Sequence, residues 1–135
     1  MKKFLALTLL LVSSMAVSKV YADVIKLKAY NFAYKAVENG SWTDWSDWSD
    51  CNILVVLNTD KERLTIYSKE TQEYDIISCD DWESDGKGGK VMEIQCVDAE
   101  GLRCNVRWRV DNEGEQQVYV DYNDVSFVYN VVNKD

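Results

Sequence analysis

The sequence predicts an all-β domain, an antiparallel meander of about eight strands forming a small barrel or a two-sheet sandwich. Three observations carry that expectation. Apolar and β-branched runs of strand length recur after residue 23, with no sustained helical periodicity. The intervening residues are Asp, Asn and Gly, with no Pro in 135 residues, which suits tight hairpins. Finally, three turns read independently place one continuous set of apolar side chains on a single face.

The chain opens MKKFLALTLLLVSSMAVSKVYAD. Two lysines, an apolar run from Phe4 to Val12 and small or apolar residues at Val20-Tyr21-Ala22 form the pattern of a secretory signal peptide spanning residues 1–22. The apolar run is shorter than the ~20 residues a membrane span needs, so a secreted or periplasmic protein without a membrane anchor is expected. The mature chain would run from Asp23 to Asp135 as a single domain. Cleavage removes Lys2, Lys3 and Lys19 and no acid, leaving 12 basic against 23 acidic side chains, a net charge of −11. Such a surface repels phosphate backbones and disfavours nucleic acid and anionic lipid.

Strands are expected near 24–37, 43–57, 63–68, 72–79, 90–97, 102–110, 116–122 and 125–132. Asn39-Gly40 is a strong two-residue hairpin signal, setting Val37 opposite Trp42 and Tyr34 opposite Trp45. Cys51 to Leu57 is apolar on both faces, as in a strand covered on both sides. The turn Asp98-Ala99-Glu100-Gly101, with a left-handed Gly101, sets Cys96 opposite Cys104, Ile94 opposite Val106 and Met92 opposite Trp108. Asp111-Asn112-Glu113-Gly114 has the same form and sets Trp108 opposite Val118 and Val106 opposite Val120. Asn123-Asp124 pairs Val120 with Phe127 and Val118 with Tyr129. One face therefore carries Met92, Ile94, Cys96, Cys104, Val106, Trp108, Val118, Val120, Tyr122, Val125, Phe127 and Tyr129. The other carries the polar residues, with Glu93 across from Arg107 as an opposite-charge pair.

Four cysteines in an exported chain favour two disulfides. The register brings Cys96 to Cys104, leaving Cys51 for Cys79.

The chemistry-bearing residues are few. There is no His, which removes the commonest general base and metal ligand together. Carboxylates are many, but none pairs by spacing, and a non-catalytic protein without cofactor or metal is expected. The loop CDDWESDGKGGK, residues 79–90, places Asp81, Glu83, Asp85 and Gly86 like the start of a calcium loop, but its twelfth position is Met92 rather than a bidentate acid.

The segment SWTDWSDWSDC, residues 41–51, concentrates three of five tryptophans among aspartates. An ordinary strand would put Trp42 and Trp48 on one face and Trp45 on the other. A three-residue-per-turn spiral would place all three on one side about 9.3 Å apart. Three uses follow: a packed lid, an aromatic platform for a sugar ring or apolar ligand with Asp44, Asp47 or Asp50 accepting hydroxyl hydrogen bonds, or cation–π layering on the alternating Arg103, Arg107 and Arg109. The predicted ligand site is Trp42, Trp45, Trp48, Trp82, Asp44 and Asp47, in a binding module for a neutral sugar or apolar small molecule. A protein-interaction module using an edge strand or the 79–90 loop is the alternative.

WTDWSDWSDC resembles the W-x-x-W-x-x-W-x-x-C segment of thrombospondin type 1 repeats. That resemblance implies tryptophans interleaved with arginines of a neighbouring strand. RLTIYSK, QEYDI, CVDAEGLRC and VYVDYNDVSFVYNV are similar to stretches of small exported bacterial β-proteins, which implies the class and no chemistry.

Overall fold

The computed structural model describes residues 24–134, and the signal-peptide expectation lies outside them. The elements are β1 (Val24–Glu38), β2 (Ser41–Trp42), β3 (Ser49–Asn58), β4 (Arg63–Tyr67), β5 (Thr71–Cys79), β6 (Glu83–Ser84), β7 (Lys90–Asp98), β8 (Arg103–Val110), β9 (Gln116–Asp121) and β10 (Val125–Asn133). Eight of them, all but the two-residue β2 and β6, run as an antiparallel meander. The meander closes on itself because β10 also pairs β1, from Leu27↔Asn133 to Ala36↔Val125. The fold is therefore a closed barrel rather than a sandwich.

The hairpins set the register as their turn chemistry dictates. Gly101 and Gly114 take φ of +87° and +86°, the left-handed conformation that an L side chain resists. In both turns the leading aspartate ties the bend: Asp98 Oδ1 accepts from the N–H of Glu100 and Leu102, and Asp111 Oδ1 from Glu113 and Glu115. The consequent partners are Cys96↔Cys104, Ile94↔Val106, Met92↔Trp108, Trp108↔Val118, Val106↔Val120, Val120↔Phe127 and Val118↔Tyr129. Asn39 and Gly40 both have positive φ, and Val37 faces Trp42 as expected.

Inward side chains alternate along every strand and fill the interior. Ile66, Ile94, Val55, Val106, Val120, Val131 and Cys96 are fully buried. The void among Leu27, Val55, Leu57, Leu64, Ile94, Val106, Trp108 and Val118 is about 20 Å³, one water at most. The barrel is a packed core, so a ligand site must be sought on its outside.

Several expectations need correction. Residues 43–48 leave the strand conformation, and β2 and β3 replace one long strand. Only one face of β3 is covered: Val55 and Leu57 face the core and are buried, whereas Leu54 and Val56 face outward and stay half-buried. Glu93 does sit opposite Arg107, but Arg107 forms its ion pair with Asp121, and Glu93 accepts from Asn105 instead.

All four thiols are free. Cys96 and Cys104 are directly opposed, but Cys51 and Cys79 cannot meet. In the β3–β4–β5 ladder Cys51 lies beyond the Leu54↔Tyr67↔Thr71 rung, and Cys79 beyond the Asn58↔Arg63↔Asp75 rung at the other end. At ~3.3 Å per residue they are offset by roughly 36 Å along the strand direction, whereas a bridge needs Cα atoms within about 7 Å. Elimination failed because it presumed that every cysteine had a partner.

Candidate functional site

Each Trp in the segment begins a triplet, Trp42-Thr43-Asp44, Trp45-Ser46-Asp47 and Trp48-Ser49-Asp50. β1 extends past its pairing with β3, which ends at Phe32↔Ser49, so its backbone from Ala33 onward has a free side. The triplets take that side. Thr43 N–H donates to Ala36 O at 2.8 Å, and Ser46 N–H to Tyr34 O at 2.8 Å. The hydroxyls complete the exchange: Ala36 N–H donates to Thr43 Oγ1 and Tyr34 N–H to Ser46 Oγ. Each hydroxyl then donates to the carbonyl of the following aspartate.

Three residues of the segment thus advance against two residues of β1. Two strand residues rise about 6.6 Å, so the segment is a spiral of three-residue period shortened from its full ~9.3 Å extension. That period gathers the indoles on one side, Trp42 and Trp45 about Lys35 and Trp45 and Trp48 about one slot. They keep 45%, 40% and 49% of their surface exposed at Trp42, Trp45 and Trp48. Their inner sides lie over the outside of the barrel wall. Ala33 and Val128, paired across β1 and β10 on the outward face, are 1% and 3% exposed because this aromatic layer covers them.

The layer has a defined order. Lys35, outward-facing on β1, holds its ammonium 5.2 Å from the Trp42 ring centroid and 4.8 Å from that of Trp45. Both distances lie within cation–π reach, so one ammonium serves the two rings. Trp45 meets Tyr119 edge-on at 6.2 Å. Arg107 lies 4.0 Å over Tyr119 and is anchored by Asp121, with hydrogen bonds of 2.6 and 3.3 Å. Beyond Trp45 a slot of about 180 Å³ opens, walled by Trp45, Trp48, Tyr119 and Gln117 and floored by Ala33, Ser46 and Val128.

The expected site residues are therefore partly brought together. Trp42, Trp45 and Trp48 form one layer, with Asp44 and Asp47 exposed along it. Trp82 does not join them. It meets Trp108 at a tilt, with ring centroids 5.0 Å and planes 60° apart, the Lys90 ammonium lies 4.4 Å from its own ring centroid, and Trp108 packs against the barrel core. Cation–π layering is present, but Lys35 supplies it to the tryptophans. Arg107 reaches only Tyr119, and Arg109 turns to Gln117 and Asp85. Sequence reading missed Lys35, Tyr119, Gln117 and the floor residue Ala33. The signal for Lys35 was its place opposite the Trp42–Trp45 interval once Asn39-Gly40 fixes the hairpin.

Asp85 organises its own loop: Oδ1 accepts from the N–H of Lys87 at 2.7 Å and Gly89 at 3.0 Å. These hydrogen bonds hold its carboxyl below the usual carboxylate range. Asp81 and Glu83 do not converge with it, and among the described residues no group of three metal-ligating side chains comes together. A second surface hollow of about 200 Å³ is lined by Gln72, Glu73, Tyr74, Asp98, Glu100 and Tyr122. Asp98 is engaged there by the Tyr122 hydroxyl at 2.7 Å and by backbone N–H groups of its turn.

Compared with known protein families, curated proteins and solved structures, the chain matches none.

Proposed function

We propose that the protein is an exported, non-catalytic binding module that takes a small ligand group into the slot between Trp45 and Trp48. One observation supports this reading above others: the two indoles stand about half-exposed around a preformed 180 Å³ slot with an apolar floor, while the barrel interior is filled. Ligand sites combine apolar walls with a few polar groups. Here Gln117 is the polar wall, its side chain fixed by Arg109, Tyr119 and Asn130. A neutral sugar ring or another flat apolar face stacks on indoles with this exposure, and the exposed Asp47, between the two tryptophans in the chain, offers an acceptor for hydroxyl groups.

The test is intrinsic tryptophan fluorescence titrated with a panel of neutral glycosides, small apolar rings and organic cations, repeated on Trp45→Ala and Trp48→Ala. A saturable change lost in either variant is expected. No response to any member of the panel would overturn the reading.

A second reading is a protein-interaction module. Trp42, Trp45, Trp48, Tyr34 and Arg107 give the outer face the Trp/Tyr/Arg composition that concentrates in interface centres. Recovery of one macromolecular partner from whole secretions, lost on Trp45→Ala, favours it.

A further inference from the structure

We propose that the group selected by the Trp45–Trp48 slot is an organic cation, an alkylated ammonium or a guanidinium. The proposal rests on the slot being the ligand site and names its chemistry.

One interval of the aromatic layer is occupied by the chain itself. Lys35 serves the Trp42–Trp45 interval, its ammonium 5.2 and 4.8 Å from the two ring centroids. The outward residue two positions earlier on β1 is Ala33, which faces the next interval, between Trp45 and Trp48. The backbone repeat is the same there, with Ser46 bonded to Tyr34 and then Ser49 opposite Phe32. The side chain differs. A methyl group cannot reach between the indoles, so the second interval keeps its 180 Å³ where the first holds the Lys35 ammonium.

Indole faces attract cations through their quadrupole, most strongly where water is displaced, and alkylammonium groups are bound by cages of aromatic rings on this principle. Trp45 and Trp48, with Tyr119 at the side, supply such a cage. Among the described residues no cationic side chain lines it. Lys35 is committed to the far interval, and Arg107 is neutralised by Asp121 at 2.6 Å. Asp44 and Asp47 lie along the spiral and Asp50 follows at the start of β3, and the chain carries a net charge of −8, so the surrounding field favours a positive ligand.

The test compares choline with 3,3-dimethylbutanol, its uncharged isostere, by tryptophan fluorescence on the full domain, with N-acetyl-arginine amide as a third probe. Choline is expected to bind at least tenfold more tightly than the isostere. A stronger response to the arginine amide assigns the cation to a protein side chain, and a stronger response to choline to a free small molecule. Equal binding of choline and its isostere overturns the proposal and leaves the slot as a site for neutral groups, whereas silence from every probe, neutral glycosides included, removes the site itself. Ala33→Arg provides an internal check, since its guanidinium enters the interval as the Lys35 ammonium enters the first. The expected result is a native circular dichroism spectrum and at least tenfold weaker choline binding; unchanged binding in the folded variant overturns the proposal. Should Ala33→Arg not fold, Trp48→Ala, which removes one wall at an exposed position, must show the same loss.

Discussion

Thr43 and Ser46 each use one hydroxyl twice, accepting from a β1 amide and donating to the next carbonyl, so each fixes one turn of the spiral. Removing a hydroxyl leaves an N–H of β1 without that acceptor. Ser46→Ala is expected to cost about 1 kcal/mol in urea unfolding and to loosen the Trp45–Trp48 slot, seen as a red shift of tryptophan emission. In the core, Ile94 is 2% exposed and packed on all sides, so Ile94→Ala is expected to cost about 2 to 5 kcal/mol by opening a cavity. At this scale Lys35 escaped sequence reading because its partner rings lie across a turn, and a lone lysine in a strand looks like any solvated charge. Ala33 was equally silent, since what matters about it is the side chain it lacks.

Among the elements, hairpins were the most legible because each rests on a local rule. Gly101 and Gly114 require positive φ, Asp98 and Asp111 tie the bend, and the two-residue period of the strands carries the register onward. Gly101→Ala meets no neighbour within 4 Å, so its expected cost of about 1 kcal/mol is backbone strain alone, measurable as a lowered urea midpoint at unchanged slope. The 43–48 segment was half legible. Its strict triplet repeat, Trp then Ser or Thr then Asp, conflicts with a two-residue strand period, but only the bonds to Tyr34 and Ala36 decide for the spiral. Trp82 was misplaced because its neighbour is set by how the 79–90 loop folds back onto Trp108, which no local rule encodes.

For the whole molecule, titration sets the limits of stability. Burial pushes the Cys96 thiol up to about 12 and the Cys104 thiol to about 11, and burial also raises the Tyr74, Tyr122 and Tyr129 hydroxyls. In the unfolded chain these groups ionise near 9 and 10, so the stability they contribute is complete below pH 9 and drains away as pH rises through the folded values. Asp98 behaves oppositely. The Tyr122 hydroxyl and the Leu102 N–H hold its carboxyl low, so its contribution is present above the unfolded value of 3.8 and lost on further acidification. The urea midpoint should therefore be flat between about pH 5 and 8 and fall on both sides; a midpoint still rising at pH 10 would contradict the burial of the thiols. Barrel closure was not legible, because whether β10 meets β1 depends on strand tilt and stagger summed around the wall.

The seam between β1 and β10 joins residues about a hundred positions apart. A nascent chain delivers β1 first and β10 last, so the ring stays open, with its oily lining accessible, until β10 has emerged. Refolding of the complete domain should accordingly be governed by that late union and run on the millisecond-to-second scale of proteins rich in distant pairings.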